Sequence, residues 1–422
     1  MASSRDVRKS VVTAAVLLCP GVAAAEFYAD PYVAAQEMYD SNVFSLSRAL
    51  AEQFRGDPRR NDSIFEALAG VEAGYRFGLQ RIYAGFEGEH YDYDYFNELD
   101  HNEYTAKAGI EWNAQNMVDG TIDAHQTRRM ASFINRRSTE LTLERERAGD
   151  ATLNVNFGPH WRLETGGHYY ELDSPLTSED PTQLGFPDFA LRESTGTAGL
   201  KYTTDAKLSV GVMGSYGEGR FSGIPDAPRF RTTTGDVTIG YKASEISELS
   251  ADLGYTHLQG GALAVNGFSG NVSYKRDLTA LTSLTLEGFR RMDGYLAGAD
   301  VVVDTGAGGE IAWQPTLKIR LEGGYTFTHS KFERLSAFSN EIGGRVDQIH
   351  LSQIALGYQL FDWLGLRVFG GYRDRRSTVV EERFNDAYVG AQIRFSYPVG
   401  SRGEGEETQH VEPVFNPDMP HA

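Results

Sequence analysis

Glu103-Tyr104-Thr105-Ala106-Lys107-Ala108-Gly109-Ile110-Glu111-Trp112 decides the fold. Tyr104, Ala106, Ala108, Ile110 and Trp112 are apolar at every second position, with Glu103, Thr105, Lys107, Gly109 and Glu111 between them. A period of two belongs to a β-strand, whose side chains point alternately to opposite faces. One face is wholly apolar. The other carries charge at a density no soluble core explains. Hydrocarbon on one side and a wet lumen on the other satisfy both, which predicts a transmembrane β-barrel.

Working outward, the same alternation returns. Phe65, Ala67, Ala69, Val71, Ala73, Tyr75 and Phe77 alternate with Glu66, Gly70, Glu72, Gly74 and Arg76. Further runs start at Leu208, Ile319 and Leu364. Tight turns are expected near 78–81, 113–116, 158–161, 203–206, 242–247, 276–280, 314–317 and 359–362. Several follow an aromatic that ends its strand, among Phe77, Trp112, Phe157, Tyr202, Tyr241, Tyr274, Trp313 and Tyr358. Rings at one height form the girdle a membrane interface favours. Longer polar loops are expected at 41–62, 91–102, 130–137, 173–191, 217–230, 257–266, 292–300, 329–345 and 375–383. Eight tight turns joining nine hairpins give an all-β, antiparallel, up-and-down barrel of 18 strands, with 16 as the lower bound. An even count places both termini on the side of the short turns, the periplasm. The alternation is weakest over Asp347 to Tyr358, where a bulge is expected to switch faces.

The start of the chain is a targeting segment. Arg5, Arg8 and Lys9 precede a short apolar run, Val11 to Leu18, and Ala23-Ala24-Ala25 supplies a cleavage site, so residues 1–25 read as a signal peptide. The apolar run is too short to span a bilayer. Cys19 is the single cysteine and leaves with that segment, which excludes a disulfide framework. The whole chain carries a net charge of −18; the leader has three bases and one acid, leaving about −20 on the remainder. Such a balance argues against nucleic acid, which selects a basic face. Gly (46), Phe (23) and Tyr (22) are all abundant and evenly spread, unlike linkers between soluble domains.

Two segments stand apart. From Met117 to Phe157 the phase of Thr139, Leu141, Leu143, Ala151, Leu153, Val155 and Phe157 runs through Glu144-Arg145-Glu146-Arg147. It predicts a hairpin of about 20 residues per strand, taller than the roughly ten a crossing needs. The last strand, Ala387 to Tyr397, alternates and ends on an aromatic, so residues 26–397 form the barrel. Residues 398–422, rich in Gly, Glu and Pro, are expected to be a disordered periplasmic tail.

Short motifs add a resemblance. Tyr39-Asp40-Ser41-Asn42-Val43-Phe44 resembles the Asp-Asp/Ser-Asn-hydrophobic-Phe element that follows the first strand of EpsL-type exopolysaccharide-biosynthesis proteins, within the broad β-barrel porin 2 family. Asn61-Asp62-Ser63-Ile64, Trp313-Gln314-Pro315-Thr316-Leu317-Lys318 and Tyr372-Arg373-Asp374-Arg375-Arg376-Ser377 are similar to later elements of that family. The resemblance implies an outer-membrane barrel through which an exopolysaccharide crosses, or which assists its export with periplasmic polysaccharide-export components. It brings no catalytic residues.

The inward charges divide along the chain. An acidic wall is expected from Glu66, Glu72, Glu87, Glu89, Glu111, Asp119, Asp123 and Glu164. A basic wall is expected from Lys275, Arg291, Lys318, Arg320, Arg367, Arg373 and Arg394. Carboxylates and guanidinium groups hydrogen-bond sugar hydroxyls, so the functional reading is a saccharide conduit. Lumenal salt bridges that stiffen the barrel explain the same charges. Tyr91 to Asn102 is an acidic, aromatic loop whose spacing is not that of an EF-hand. An extracellular girdle with a solvated tip accounts for it more simply than calcium. His101, His125, His160 and His168 are scattered, and Gly223-Ile224-Pro225 does not link a strand to a helix. Neither metal, cofactor nor phosphate cradle is expected. No nucleophile–base spacing supports an enzyme. Besides export, a diffusion porin narrowed by loop 173–191 and an adhesive barrel displaying the tall hairpin remain as alternatives.

Overall fold

In hydrocarbon every backbone N–H and C=O needs a partner, and an open sheet leaves its edges bare. The chain meets that demand by closing one antiparallel sheet on itself. The structure, a computed structural model, describes residues 26–134, 138–175, 189–223, 229–260, 263–296, 300–334 and 344–400. The expected leader, most of the tail and much of loops 173–191 and 329–345 lie outside these residues.

The first wall comprises β1 (Glu26–Asp40), β2 (Asp62–Phe77), β3 (Gln80–Tyr93), β4 (His101–Ala114), β5 (Val118–Met130) and β6 (Leu143–Phe157). It continues through β7 (Trp161–Ser174), β8 (Phe189–Thr203), β9 (Leu208–Ser222), β10 (Arg229–Ser244), β11 (Ser247–Gly260) and β12 (Leu263–Thr279). The last arc is β13 (Thr282–Leu296), β14 (Asp300–Thr316), β15 (Ile319–Arg334), β16 (Val346–Phe361), β17 (Leu364–Ser377) and β18 (Phe384–Ser396). Each strand pairs with its sequence neighbours, and β1 pairs with both β2 and β18, closing an 18-stranded barrel as the turn count predicts. Val399 and Gly400 (β19) extend the pairing along Ala29 and Tyr28, so the sheet runs slightly past Tyr397.

The register fixes which residues share a face. Tyr28 lies opposite Gly74, Gly70 opposite Glu87, and Arg81 opposite Glu111. These residues occupy the inner face, and the quoted run Tyr104 to Trp112 puts its apolar side outside. The outer face is a belt of exposed apolar side chains, Val33, Phe86, Ile110, Ile122 and Val212 among them. Its rim at the short turns is aromatic: Trp161 lies 4.9 Å from Tyr202, and Trp363 lies 5.2 Å from Phe361 and 6.0 Å from Phe395. The abundance of glycine follows from the inner face. Rings there lie flat across glycines of the next strand: a Cβ on Gly74 would sit 2.5 Å from the Tyr28 ring, and one on Gly109 2.4 Å from that of Tyr83.

Both described termini lie at the end of the short turns. There Gln115 (φ 54) and Asn116 (φ 59) turn β4 into β5, and Asn116 N–H donates to Asn113 Oδ1 at 2.8 Å. Register shifts mark the turn ends of β10, β12, β14 and β16.

Three expectations are corrected. The hairpin 117–157 is not tall: β5 has 13 residues and β6 has 15. Between them the described residues 131–134 and 138–142 fold inward: Ala131 N–H donates to Thr142 C=O at 2.8 Å and Phe133 packs in the cluster at the mouth. No bulge interrupts Asp347 to Tyr358, whose register with β15 and β17 is continuous. The alternation is weak there because Ile349 and Leu351 join Asp347 and Gln353 on the inner face. The 91–102 loop is not a solvated tip, because Phe96 and Leu99 are fully buried.

Candidate functional site

The long-loop mouth carries a small core of its own. The loop after β1 contains helix α1 (Arg48–Arg55), capped by Ser47, whose side chain accepts from Leu50 N–H. Phe44, Leu46 and Leu50 from this loop pack with Phe96 and Leu99 of the β3–β4 loop and with Phe133 of the β5–β6 loop. Inner-face Ile64 and Tyr93 form the floor of that cluster, so all three loops lean over the lumen. Phe44 meets Phe96 and Phe133 edge-on at 4.7 and 5.3 Å.

Polar anchors hold these loops. Asn42, 1% exposed, donates to the C=O of Leu46 (3.0 Å) and Asn385 (2.9 Å) and accepts from Leu46 N–H (3.2 Å). Asp62 accepts from the N–H groups of Tyr95 (3.0 Å) and Phe96 (2.8 Å). On the neighbouring arc of the mouth, Asp347 is gripped by Arg375 (2.7 Å) and Arg345 (2.8 Å), and both guanidinium groups lie 3.4 Å from Glu382. All four residues are buried. Arg375 also donates to the C=O of Ile134. Since β17 is six strand positions from β5 around the ring, that bond ties the β5–β6 loop across one third of the mouth. The loop expected to narrow the lumen, 173–191, lies largely outside the described residues; the loop seen to lean in is the one between β5 and β6, through residues 131–134 and 138–142. Sequence reasoning missed this role because the period-two phase of Thr139 and Leu141 reads as strand.

Below the mouth the expected acids share the inner face. Glu87 accepts from the Tyr32 hydroxyl, Glu66 from Gln36 (2.9 Å) and Glu89 from Tyr91 (2.6 Å). Glu72 meets Lys107 (2.7 Å) and Arg81 (3.7 Å), and Glu111 meets Arg81 (3.6 Å). Asp119 binds Arg162 (2.6 Å), Glu164 lies 3.4 Å from Arg162 and 3.8 Å from Lys201, and Asp123 stands opposite Asp150.

The expected bases occupy the other arc. Lys275 stands opposite Glu248, Arg291 opposite Asp304 and Arg373 opposite Asp386. Arg320 pairs with Glu322. Arg291 lies 4.5 Å over Phe289, Arg367 5.7 Å over Phe369 and Arg394 4.0 Å over Tyr32. Lys318 falls in the β14–β15 turn, where Nζ donates to Leu360 C=O at 3.2 Å. The walls are therefore interleaved rather than separated: Arg81, Lys107, Arg162 and Lys201 stand among the acids, and Glu248, Asp304 and Glu322 among the bases. The same alternation carried the signal for each of them. His101, His125 and His168 each meet a carboxylate, at 2.8, 3.4 and 2.8 Å. No group of side chains suited to a metal occurs among the described residues.

No protein-family profile and no curated protein matches the chain. Solved structures do. The ferric enterobactin receptor PfeA of Pseudomonas aeruginosa in complex with BCV-L6 is similar over 89% of this chain and 82% of its own, at 9% identity and a TM-score of 0.50. OpdK of Pseudomonas aeruginosa with vanillate covers 88% and 99% at 11% identity and a TM-score of 0.46. OccK2 (OpdF) of the same organism covers 90% and 99%, also at 11% identity and 0.46. At these identities the likeness concerns the fold.

Proposed function

We propose that the chain is an integral outer-membrane channel, long loops outside and termini periplasmic, which passes small polar solutes of the saccharide class by diffusion. The observation that carries the reading is the described part of the β5–β6 loop, residues 131–134 and 138–142, leaning over a charged lumen and tied to β17 by Arg375. A constriction over a polar interior sorts solutes by size, and the paired carboxylates and guanidinium groups below it exchange hydrogen bonds with sugar hydroxyls. No catalytic step enters. Planar-bilayer recording and liposome swelling test it: stable conductance, with swelling in mono- and disaccharides and none in a long dextran, is expected. A barrel that conducts neither ions nor sugars overturns it.

A second reading is export of an exopolysaccharide, working with periplasmic export components. It is favoured by where the resemblance residues stand, since Asn42, Asp62 and Arg375 all anchor loops of the same mouth. A polymer would have to displace the 131–142 loop. Deleting the gene should trap polymer in the periplasm; unchanged surface polysaccharide would exclude this reading. The adhesive alternative loses its basis with the tall hairpin.

A further inference from the structure

The outer wall of β7 to β11 changes character near the long-loop end. Tyr169, Tyr216 and Tyr255 are exposed outer-face rings that close the apolar belt. From Leu208 to Tyr216 the belt spans nine residues, about 27 Å of strand, or about 20 Å of height at the usual tilt near 40°. Beyond it the same face turns cationic. Arg192 of β8 stands directly opposite Arg220 of β9, which stands directly opposite Arg229 of β10. Directly opposed side chains have Cβ atoms about 5 Å apart, and like charges so placed destabilise a sheet.

Neutralisation is incomplete. Arg192 is held by Glu171 at 2.8 Å and Arg231 by Glu218 at 3.0 Å. Arg220 and Arg229 have no hydrogen bond or ion pair to an acid among the described residues, although Glu218 is near enough to feel the Arg229 charge. The four arginines, with Glu218 and Tyr169, line an outward-facing cavity of about 610 Å³. This lies on a chain whose overall charge is −18, so the cluster opposes the composition around it.

We propose that this cavity binds the phosphorylated sugar headgroup of an outer-leaflet glycolipid, with Arg220 and Arg229 as its principal phosphate ligands. Three things favour a lipid over a soluble anion. The arginines continue the lipid-facing wall, not the lumen. They start about 5–10 Å above the tyrosine rim, at headgroup height. Guanidinium forks match phosphate oxygens in pairs, and a shared phosphate removes the repulsion along the row. The proposal uses the orientation proposed above, but not the passage of solute.

The test titrates the full barrel in neutral detergent with bisphosphorylated lipid A, phosphatase-treated lipid A and inorganic phosphate. Tight binding of the bisphosphorylated lipid is expected, weakened at least tenfold by Arg220→Gln/Arg229→Gln and unchanged by Arg276→Gln at the opposite rim. Phosphatase treatment should weaken binding to the native barrel equally, which needs no variant to fold. Equal affinity of the double variant, equal affinity for the dephosphorylated lipid, or inorganic phosphate binding as tightly as the lipid would each overturn the proposal. Surface labelling of cells carrying Val380→Cys or Leu79→Cys reads the orientation separately.

Discussion

Replacing Arg375 with Met removes the guanidinium that joins β17 to the β5–β6 loop while keeping most of its bulk. Two effects separate. Asp347 retains Arg345 at 2.8 Å, so it is not left alone, and the barrel should lose toward the lower end of the roughly 3–5 kcal/mol that breaking a buried pair costs. The loop loses a hydrogen bond from a charged donor to Ile134 C=O, worth about 1.5–3 kcal/mol. At about 1.4 kcal/mol per tenfold, the ratio of tied to released loop falls roughly 10- to 150-fold. Phe133 still packs on Phe44, which limits the excursion. Single-channel recording should show longer or larger open events, and protease should cut within 131–142 faster. Arg375→Lys keeps the charge without the fork and should fall between. A folded Arg375→Met barrel, less stable than the native one yet unchanged in conductance and gating, would refute the claim that this loop narrows the pore.

Other outcomes follow from the same structure. Asn42→Ala removes three hydrogen bonds from a buried site and should cost about 2–4 kcal/mol in denaturant unfolding, with earlier protease cleavage of the 41–61 loop. Gly74→Ala drives a methyl group into the Tyr28 ring and loosens that hydroxyl from Arg81 (2.7 Å), costing about 1–3 kcal/mol; an unchanged melting midpoint would contradict the ring-on-glycine account. Burial opposes the charged form of Glu98, but the Arg55 guanidinium at 2.6 Å and the residue's own backbone N–H together outweigh it and hold the carboxyl below its ordinary range. A depressed carboxyl contributes above its unfolded value and loses that contribution as pH falls through the folded one. Hydrogen exchange in α1, corrected for intrinsic rates, should therefore rise only in acid, and Glu98→Gln should abolish that dependence.

The barrel was legible because lipid and water impose opposite demands on alternate residues, and the quoted run Tyr104 to Trp112 records both. The short turns were legible because rings cluster at one interface. What the loops do was not. Thr139, Leu141 and Leu143 keep a strand's phase, yet β5 ends at Met130 and β6 starts at Leu143, because packing of Phe133 on Phe44 and the tie of Ile134 to Arg375 outweigh local alternation. Inner-face positions of the acids could be read from phase alone. Their partners could not: Arg162 reaches Asp119 only through a register that pairs β5, β6 and β7. The outer arginine row is hidden for the same reason, since Arg192, Arg220 and Arg229 become neighbours only once three strands are aligned.

A cysteine scan through Glu103 to Trp112 tests the central claim most directly, because Cys19 is the one native cysteine and lies in the expected leader. Charged, membrane-impermeant thiol reagents applied to the barrel in a planar bilayer should modify positions 103, 105, 107, 109 and 111 and reduce the current stepwise. Positions 104, 106, 108, 110 and 112 should stay unmodified and protected by lipid. Modification without alternation, or modification of the odd positions with no change in current, would contradict a water-filled channel inside this barrel.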